Sequence, residues 1–497
     1  MGENSKLPVS AITIVGGGVS GTLVAAQLLR RATEPLRVRL IERMSDVGRG
    51  VAYATENRDH RLNVPAGRMG AWPEDVEHFF RWVAERAGTP DYPSNVTRAD
   101  FLPRWIFGDY VRAVLEEAQR GAAPGVELEL IKGEAIDIED ADADEEQRGS
   151  EGGFGGGDED GPGRLRSSRR NLRVMLGDGR SFAANQVVLA LGNLPGEYPI
   201  RRALPVYRGQ RYVHVPWRPG ALAGIPEEAE VLIVGAGLTV VDVVLELQAR
   251  GHRGMVHALS RRGLRPQVHE AHAPYPAFFA EETPPATLLG LWRRVRQEVR
   301  HAGRSGIDWR PVLDAIRAQT PAIWAGLSWE ERARFMRHVR PYWEIHRHRL
   351  APAVAKKIEI QRAAGRLRFY AGRLESLIER EGGVEARFRE RETARRQSLL
   401  VAKVINCTGP RSDYSKYQHP LLINLLARGL IDHDPLALGL NALATGEVLY
   451  YRAGVCPWLF TLGAPLKGVL WECTAVPEIR AQAAVLAERL LGRSACA

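Results

Sequence analysis

An α/β fold with two dinucleotide-binding units and an α-helical insert is predicted by three features of this 497-residue sequence. An apolar, β-branched strand runs into a glycine turn and then a helix at two places: Ala11-Ile12-Thr13-Ile14-Val15 into Gly16-Gly17-Gly18-Val19-Ser20-Gly21, and Val231-Leu232-Ile233-Val234 into Gly235-Ala236-Gly237-Leu238-Thr239-Val240. In each unit a second strand ends on a polar residue 26 positions after the first glycine, Glu42 in one and Arg261 in the other. Two further apolar strands that end in glycine, residues 186–192 and 403–409, bracket the second unit. Together these predict two Rossmann-like domains, each a three-layer ββα sandwich.

The glycines have separate tasks. The first permits a tight bend, the second lets a pyrophosphate approach backbone, and the third lets the helix lie close on its strand. The N–H groups and dipole at the helix start then hold the negative charge. Gly16, Gly18 and Gly21 complete the first set, with Ser20 beside them, whereas the second has Gly235 and Gly237, flanked by Thr239, and Val240 in third place. Val38-Arg39-Leu40-Ile41-Glu42 delivers a carboxylate, which accepts from ribose hydroxyls and repels a 2′-phosphate, so the first unit suits the adenosine half of FAD, or NAD. Arg43 follows it directly. Val256-His257-Ala258-Leu259-Ser260-Arg261-Arg262 delivers a hydroxyl and two guanidiniums, which grip phosphate in forked geometry and predict NADPH.

Length calls for more than one core. A hydrophobic content of 45% with 26% charged residues is that of a soluble globular chain, and no apolar run reaches the ~18 residues of a membrane span. The first strand begins too soon after Met1 for a signal peptide, which predicts a cytoplasmic protein. Four cysteines, Cys407, Cys456, Cys473 and Cys496, form no C-x-x-C pair, which excludes the dithiol chemistry of disulfide-reductase flavoproteins. The net charge of +9 is dispersed and no nucleic-acid motif accompanies it, so an anionic cofactor accounts for it better than nucleic acid. His269-Glu270-Ala271-His272 and His346-Arg347-His348 lack a third ligand, so no metal is expected.

The expected organisation is an FAD domain over residues 1–225, an NADP domain over 226–403 carrying a helical insert at about 283–364, and a return to the FAD domain over 404–497. Residues 139–170 are acidic, then glycine-rich, then basic, and read as a disordered loop between two strands. Residues 366–401 read as a strand meander, and the last helix spans about 475–491.

Over nearly its full length the chain resembles a bacterial family of FAD/NAD(P)-binding oxidoreductases. The likeness rests on Gly48-Arg49-Gly50-Val51-Ala52-Tyr53, His60-Arg61-Leu62-Asn63-Val64-Pro65-Ala66-Gly67-Arg68-Met69, Gly235-Ala236-Gly237-Leu238-Thr239-Val240-Val241-Asp242, Asn406-Cys407-Thr408-Gly409-Pro410 and residues 468–480. That family is similar to the class B flavin monooxygenases, including the N-hydroxylating ones. Phe101-Leu102-Pro103-Arg104-Trp105-Ile106-Phe107-Gly108-Asp109-Tyr110 resembles their Arg-then-Tyr segment, and Gly192 and Gly409 their domain crossings.

What this implies is an FAD-dependent, NADPH-utilising oxidoreductase, a flavin monooxygenase of the N-hydroxylating kind, with hydride transfer from NADPH to FAD and a small metabolite as substrate. Arg49 is expected at the FAD backbone, Asn63, Val64 and Met69 against the flavin ring with Trp72 nearby, and Gly463 to Gly468 at its pyrimidine end. The catalytic residues themselves are not identifiable; Asn63, Met69 and Trp72 are the flavin-face candidates. Two alternatives stay open: an NAD(P)H:acceptor reductase without oxygen insertion, and a flavin-binding regulatory or partner-binding protein.

Overall fold

The computed structural model describes residues 9–44, 46–140, 171–202, 204–279, 282–451 and 454–492. The predicted loop therefore lies, from residue 141, outside the described residues, as does Cys496.

The first unit opens with β1 (Ser10–Val15), α1 (Val19–Arg31) and β2 (Leu36–Glu42). A short helix α2 (Gly50–Tyr53), then α3 (His78–Ala84), α4 (Arg104–Arg120) and β3 (Val126–Lys132) follow. Next come β4 (Ala135–Asp140), β5 (Leu172–Leu176), β6 (Ser181–Ala184) and β7 (Gln186–Leu189). The second unit contains β8 (Tyr212–Val213), β9 (Val231–Val234), α5 (Leu238–Ala249) and β10 (Val256–Ser260). After it come α6 (Leu288–Arg304), α7 (Trp309–Ile316), α8 (Thr320–Gly326), α9 (Trp329–His338), α10 (Arg340–Arg347) and α11 (Pro352–Ala363). The chain closes with β11 (Leu367–Arg380), β12 (Gly383–Glu390), β13 (Arg396–Val401), β14 (Lys403–Asn406), α12 (Pro420–Ala427), β15 (Glu447–Tyr450), β16 (Gly454–Thr461), the short α13 (Lys467–Leu470) and α14 (Val476–Leu490).

The two main sheets repeat one order. The first runs β15-β16-β7-β1-β2-β3 and the second β13-β12-β11-β10-β9-β14-β8. Thus β16-β7-β1-β2-β3 and β8-β14-β9-β10-β11 are equivalent parallel blocks. Alternate residues of each strand feed opposite faces. Ile12 and Ile14 pack with α1, α4 and α14, while Val15 joins the three-stranded sheet β4-β5-β6. Val231 and Ile233 pack with α5 and α11, while Leu232 and Val234 join the β11–β13 meander. Both units are therefore the ββα sandwich that the sequence predicts.

Two boundaries differ from expectation. The strand β14, expected to begin the return to the first domain at residue 404, lies in the second sheet, paired with β9 and β8. Since β8 precedes residue 226, the second unit also starts earlier than the sequence suggests. Short, apolar, glycine-ended strands look alike in both units, and sequence carries no mark of which sheet they enter. The helical insert is also shorter: α11 packs Val354 and Ile358 into the core of the second unit and is its crossover helix. The insert proper buries Phe279, Leu291, Ile316, Trp324 and Phe335 against Leu438 and Trp471, which come from the C-terminal part of the chain.

Candidate dinucleotide cleft

Each glycine turn is shaped by the strand beside it. Gly16 has φ +109°, and a Cβ there would overlap the Ala190 carbonyl at the end of β7. Gly235 has φ +143°, and its Cβ would overlap the Cys407 carbonyl at the end of β14. A Cβ on Gly21 would overlap the Gly16 carbonyl, so helix and strand touch there. Val240 takes that place in the second unit and is fully buried in its core. The middle glycines face open space: nothing lies within 4 Å of a Cβ on Gly237, and only the Gly50 Cα, at 3.6 Å, meets one on Gly18. These are the two positions at which a pyrophosphate needs bare backbone, so both turns fit the groups that the sequence assigns to them.

The readers stand where the strands end. The Glu42 carboxylate accepts from the Gly17 N–H at 2.8 Å and the Met44 N–H at 2.9 Å. Arg43 is exposed, 3.7 Å from Glu134. Ser20 is half-buried at the start of α1, and the Gly463 Cβ position lies 3.1 Å from its hydroxyl, which brings the 463–468 loop to the first turn. The Gly463 N–H donates to Gln482 at 2.7 Å, and the Gly468 carbonyl accepts from the Trp324 indole at 2.8 Å. In the second unit Thr239 sits in the first turn of α5, and the Ser260 hydroxyl accepts from the Gly263 N–H at 3.0 Å. Arg261 is exposed and forms no ion pair among the described residues, whereas Arg262 reaches the Arg337 carbonyl at 3.4 Å. Gly192 and Gly409 have φ +63° and +90° at the two crossings, which run side by side through a Leu194–Arg411 bridge.

Arg49 pairs with Asp109 on α4, so its charge is already matched. Asn63 is half-buried, and its carbonyl accepts from His269 Nε2 at 3.0 Å. Val64 and Met69 are buried in the first core. Trp72 is core too, not cleft: it stacks on the Arg30 guanidinium at 4.6 Å, at the end of α1 remote from the glycine turn. Burial chiefly, and the Arg349 guanidinium next, push His269 down to about 4, so the imidazole is neutral near pH 7. His272 turns instead to Asp314 at 3.2 Å. Burial pushes the Cys473 thiol up to about 12 and that of Cys407 higher, and Cys456 is buried as well.

A latch between the units was not legible in advance. Arg104, at the start of α4, donates to both oxygens of Asp242 on α5 at 2.7 and 3.1 Å. His60 Nε2 donates to the Asp242 carbonyl at 2.9 Å, and Asn57 to Glu246 at 2.7 Å. Arg104 and Asp242 both fall within the segments that carry the family resemblance, which was the available signal. The latch joins the loop before Asn63, and the start of α4, to the helix that opens at the second turn.

Fold and turns together define an α/β protein with two dinucleotide-binding units. Residues 13–155 match a family model described as FAD-NAD(P)-binding. Ornithine hydroxylase from Pseudomonas aeruginosa, in its reduced form, superposes with a TM-score of 0.60 at 15% identity, covering 97% of this chain and 99% of that one. The ornithine N-hydroxylase of Kutzneria sp. 744, a structure with reduced FAD, NADP+ and L-ornithine, gives 0.60 at 15% identity, with 96% and 98% covered. L-lysine 6-monooxygenase from Pseudomonas syringae gives 0.59 at 16% identity, with 97% and 98% covered. At these identities the likeness is one of fold. No curated protein sequence matches the chain.

Proposed function

We propose that this chain is an FAD-dependent, NADPH-utilising monooxygenase that hydroxylates an amino group of a small metabolite. The observation that carries the reading is the pair of open glycine turns, one with the Glu42 carboxylate at the end of its second strand and the other with Arg261 and Arg262 there. The fold shared end to end with ornithine and lysine hydroxylases supports it.

Bound FAD supplies hydride acceptance and oxygen activation. The protein supplies the rest. The N-termini of α1 and α5 aim unpaired N–H groups and positive dipole ends at the two pyrophosphates. Glu42, held by the Gly17 and Met44 N–H groups, would accept from the ribose hydroxyls of the first cofactor. Ser260, Arg261 and Arg262 take the 2′-phosphate. The loop from Asn63 to Met69 backs the flavin ring, with His269 fixing one end, and Gly463 to Gly468 closes the pyrimidine side. Arg104 and Asp242 hold the nicotinamide unit in register with that loop, as hydride transfer over ~3–3.5 Å demands. In this reading Trp324, Phe335 and Trp471, packed with ring centroids 4.9–5.6 Å apart, keep water from the insert side of the cleft. Buried Cys407 and Cys473, in a sequence with no C-x-x-C pair, fit a reducing compartment, and we assign the chain to the cytoplasm. Among the described residues no helix is long and apolar enough to cross a membrane.

The test is anaerobic reduction of the yellow protein by NADPH, followed by oxygen and a panel of amino acids and diamines. The expected result is flavin bleaching with NADPH ahead of NADH, and a hydroxylamine formed with at least one amine. Fast anaerobic turnover with a quinone and no oxygenated product with any amine would replace this reading with an acceptor reductase.

A further inference from the structure

The first helix of the insert has two unlike faces. α6 turns Leu291 and Val295 into the core of the insert and buries Ala302 on the same side. At 3.6 residues per turn, Leu289, Trp292, Arg293, Arg296, Arg300 and Arg304 fall opposite, within an arc of about 120°. All six are exposed. Among the described residues none of these four arginines forms an ion pair, because the acids nearby are engaged elsewhere: Glu282 and Glu298 with Arg294, and Glu331 with Arg334. The stripe from Arg293 to Arg304 is about 16 Å long and carries four uncompensated positive charges.

The N-terminal end of this face is apolar. The Leu288 N–H donates to Glu331 at 2.7 Å, which ties the start of α6 to that of α9. Trp329, two positions before Glu331, therefore joins Leu289 and Trp292 at one end of the insert. These three side chains are 55%, 56% and 40% exposed, respectively. Large apolar side chains scattered singly on a surface need no explanation, but a group of them rimmed by cations marks a contact surface.

We propose that this face of the insert docks on an anionic membrane surface, so that the enzyme works as a peripheral protein. The arginines along the helix meet lipid headgroup phosphates. Leu289, Trp292 and Trp329 enter the boundary between headgroups and acyl chains, the level at which indoles collect. The opposite face of α6 stays packed in the insert throughout. Nucleic acid fits this face less well: the Arg296 guanidinium lies over the Trp292 ring, 6.0 Å from its centre, and covers a side that a base would need for stacking. The proposal is independent of the reaction that the flavin performs.

Sedimentation of the FAD-loaded protein with vesicles tests it. Vesicles of phosphatidylcholine alone are compared with an equal mixture of phosphatidylcholine and phosphatidylglycerol, at low and at high salt. The proteins are the wild type, a variant with Arg293, Arg296, Arg300 and Arg304 each changed to Gln, and a variant with Leu289→Ser and Trp292→Ser. The expected result is binding to the mixed vesicles alone, weakened by salt, at least tenfold weaker in the Gln variant and severalfold weaker in the Ser variant. Every substituted side chain is exposed, so flavin absorbance, melting temperature and reduction by NADPH in free solution should match the wild type and show that each variant is folded. Should the fourfold variant fail to fold, Arg296→Gln with Arg300→Gln replaces it, with half the loss on a logarithmic scale. Equal sedimentation with both kinds of vesicle overturns the proposal. Undiminished binding in the Gln variant overturns it too, as does undiminished binding in the Ser variant, since charge alone would then account for the contact. Transfer RNA and polyglutamate, added in turn at equal charge, should release little of the bound protein. Full release by either gives this face to nucleic acid or to an acidic protein and overturns the lipid.

Discussion

The two glycine turns solve one backbone problem with different side chains. In both, the first glycine adopts a positive φ against the carbonyl that ends the neighbouring strand, and the second leaves its face bare. They part at the third position and at the reader. Gly21 lets α1 touch the backbone of its own turn, whereas Val240 places a buried side chain at the equivalent position of α5. Glu42 is tied into the first turn through two backbone N–H groups, whereas Arg261 is exposed and forms no ion pair among the described residues. The first turn has a carboxylate bonded into its backbone, whereas the second has a guanidinium exposed beside it. This is the contrast expected between a cofactor that stays and a coenzyme that leaves after each turnover.

Exchanging the third residue breaks the contrast most severely. Gly21→Val forces a side chain into the Gly16 carbonyl, and overpacking of this kind costs about 3 kcal/mol or more. The expected product is a colourless protein with a sharply lowered melting temperature. Val240→Ala leaves only a cavity, worth about 2 kcal/mol, and should keep the yellow colour. Absorbance near the flavin maximum and a thermal melt score both variants. Equal losses would mean that the two turns are not built differently.

Exchanging the reader is gentler. Arg261→Ala with Arg262→Ala should fold normally and raise KM for NADPH at least tenfold while leaving NADH nearly unchanged, since only the 2′-phosphate is lost as a partner. Steady-state kinetics with both coenzymes measures it. An equal rise for the two would move the phosphate site elsewhere, with Ser260 and Thr239 the next positions to change.

How much of this the sequence discloses follows from how local each feature is. Ala11 to Val15 and Val231 to Val234 are short, mostly apolar and β-branched runs that announce buried strands, and the glycines that follow them announce turns, so both turns and the strand ends that carry Glu42 and Ser260 were legible. Pairings that join distant segments leave no such trace. Nothing local says that Arg104 forks onto Asp242, 138 positions away, or that β14 enters the second sheet and not the first. Trp72 misleads for the same reason: a tryptophan near a predicted flavin loop reads as a ring-facing residue until Arg30 is seen stacked on it. The helical insert was visible as amphipathic sequence, but its ion pairs from Arg347 to Glu472 and from Arg317 to Glu478 depend on a C-terminal segment more than a hundred residues on.

The smallest expected effect concerns the hinge between the two regions. His269 bridges them, with its ring nitrogen on Asn63 of the first unit and its ring 4.8 Å from Phe101, while Arg349, Arg347 and Asp314 face it from the insert. Its pKa lies near 4 in the folded protein against 6.5 when free, so the unfolded chain takes up a proton that the native one refuses. Stability gained from the neutral ring is full above pH 6.5 and falls as pH drops towards 4, where both states are protonated. Carboxylates held low by arginines, Asp314 and Glu478 among them, lose stability in the acid range as well, so the wild-type curve alone is ambiguous. His269→Gln removes the ambiguity, because its amide still donates to the Asn63 carbonyl but does not titrate. The difference in melting temperature between wild type and variant should shift in the variant's favour by a few degrees between pH 6.5 and 4.5 and stay constant above pH 7. A difference that does not vary with pH would show that His269 holds the two units together by shape alone, and that the cleft has no acid-sensitive joint at this position.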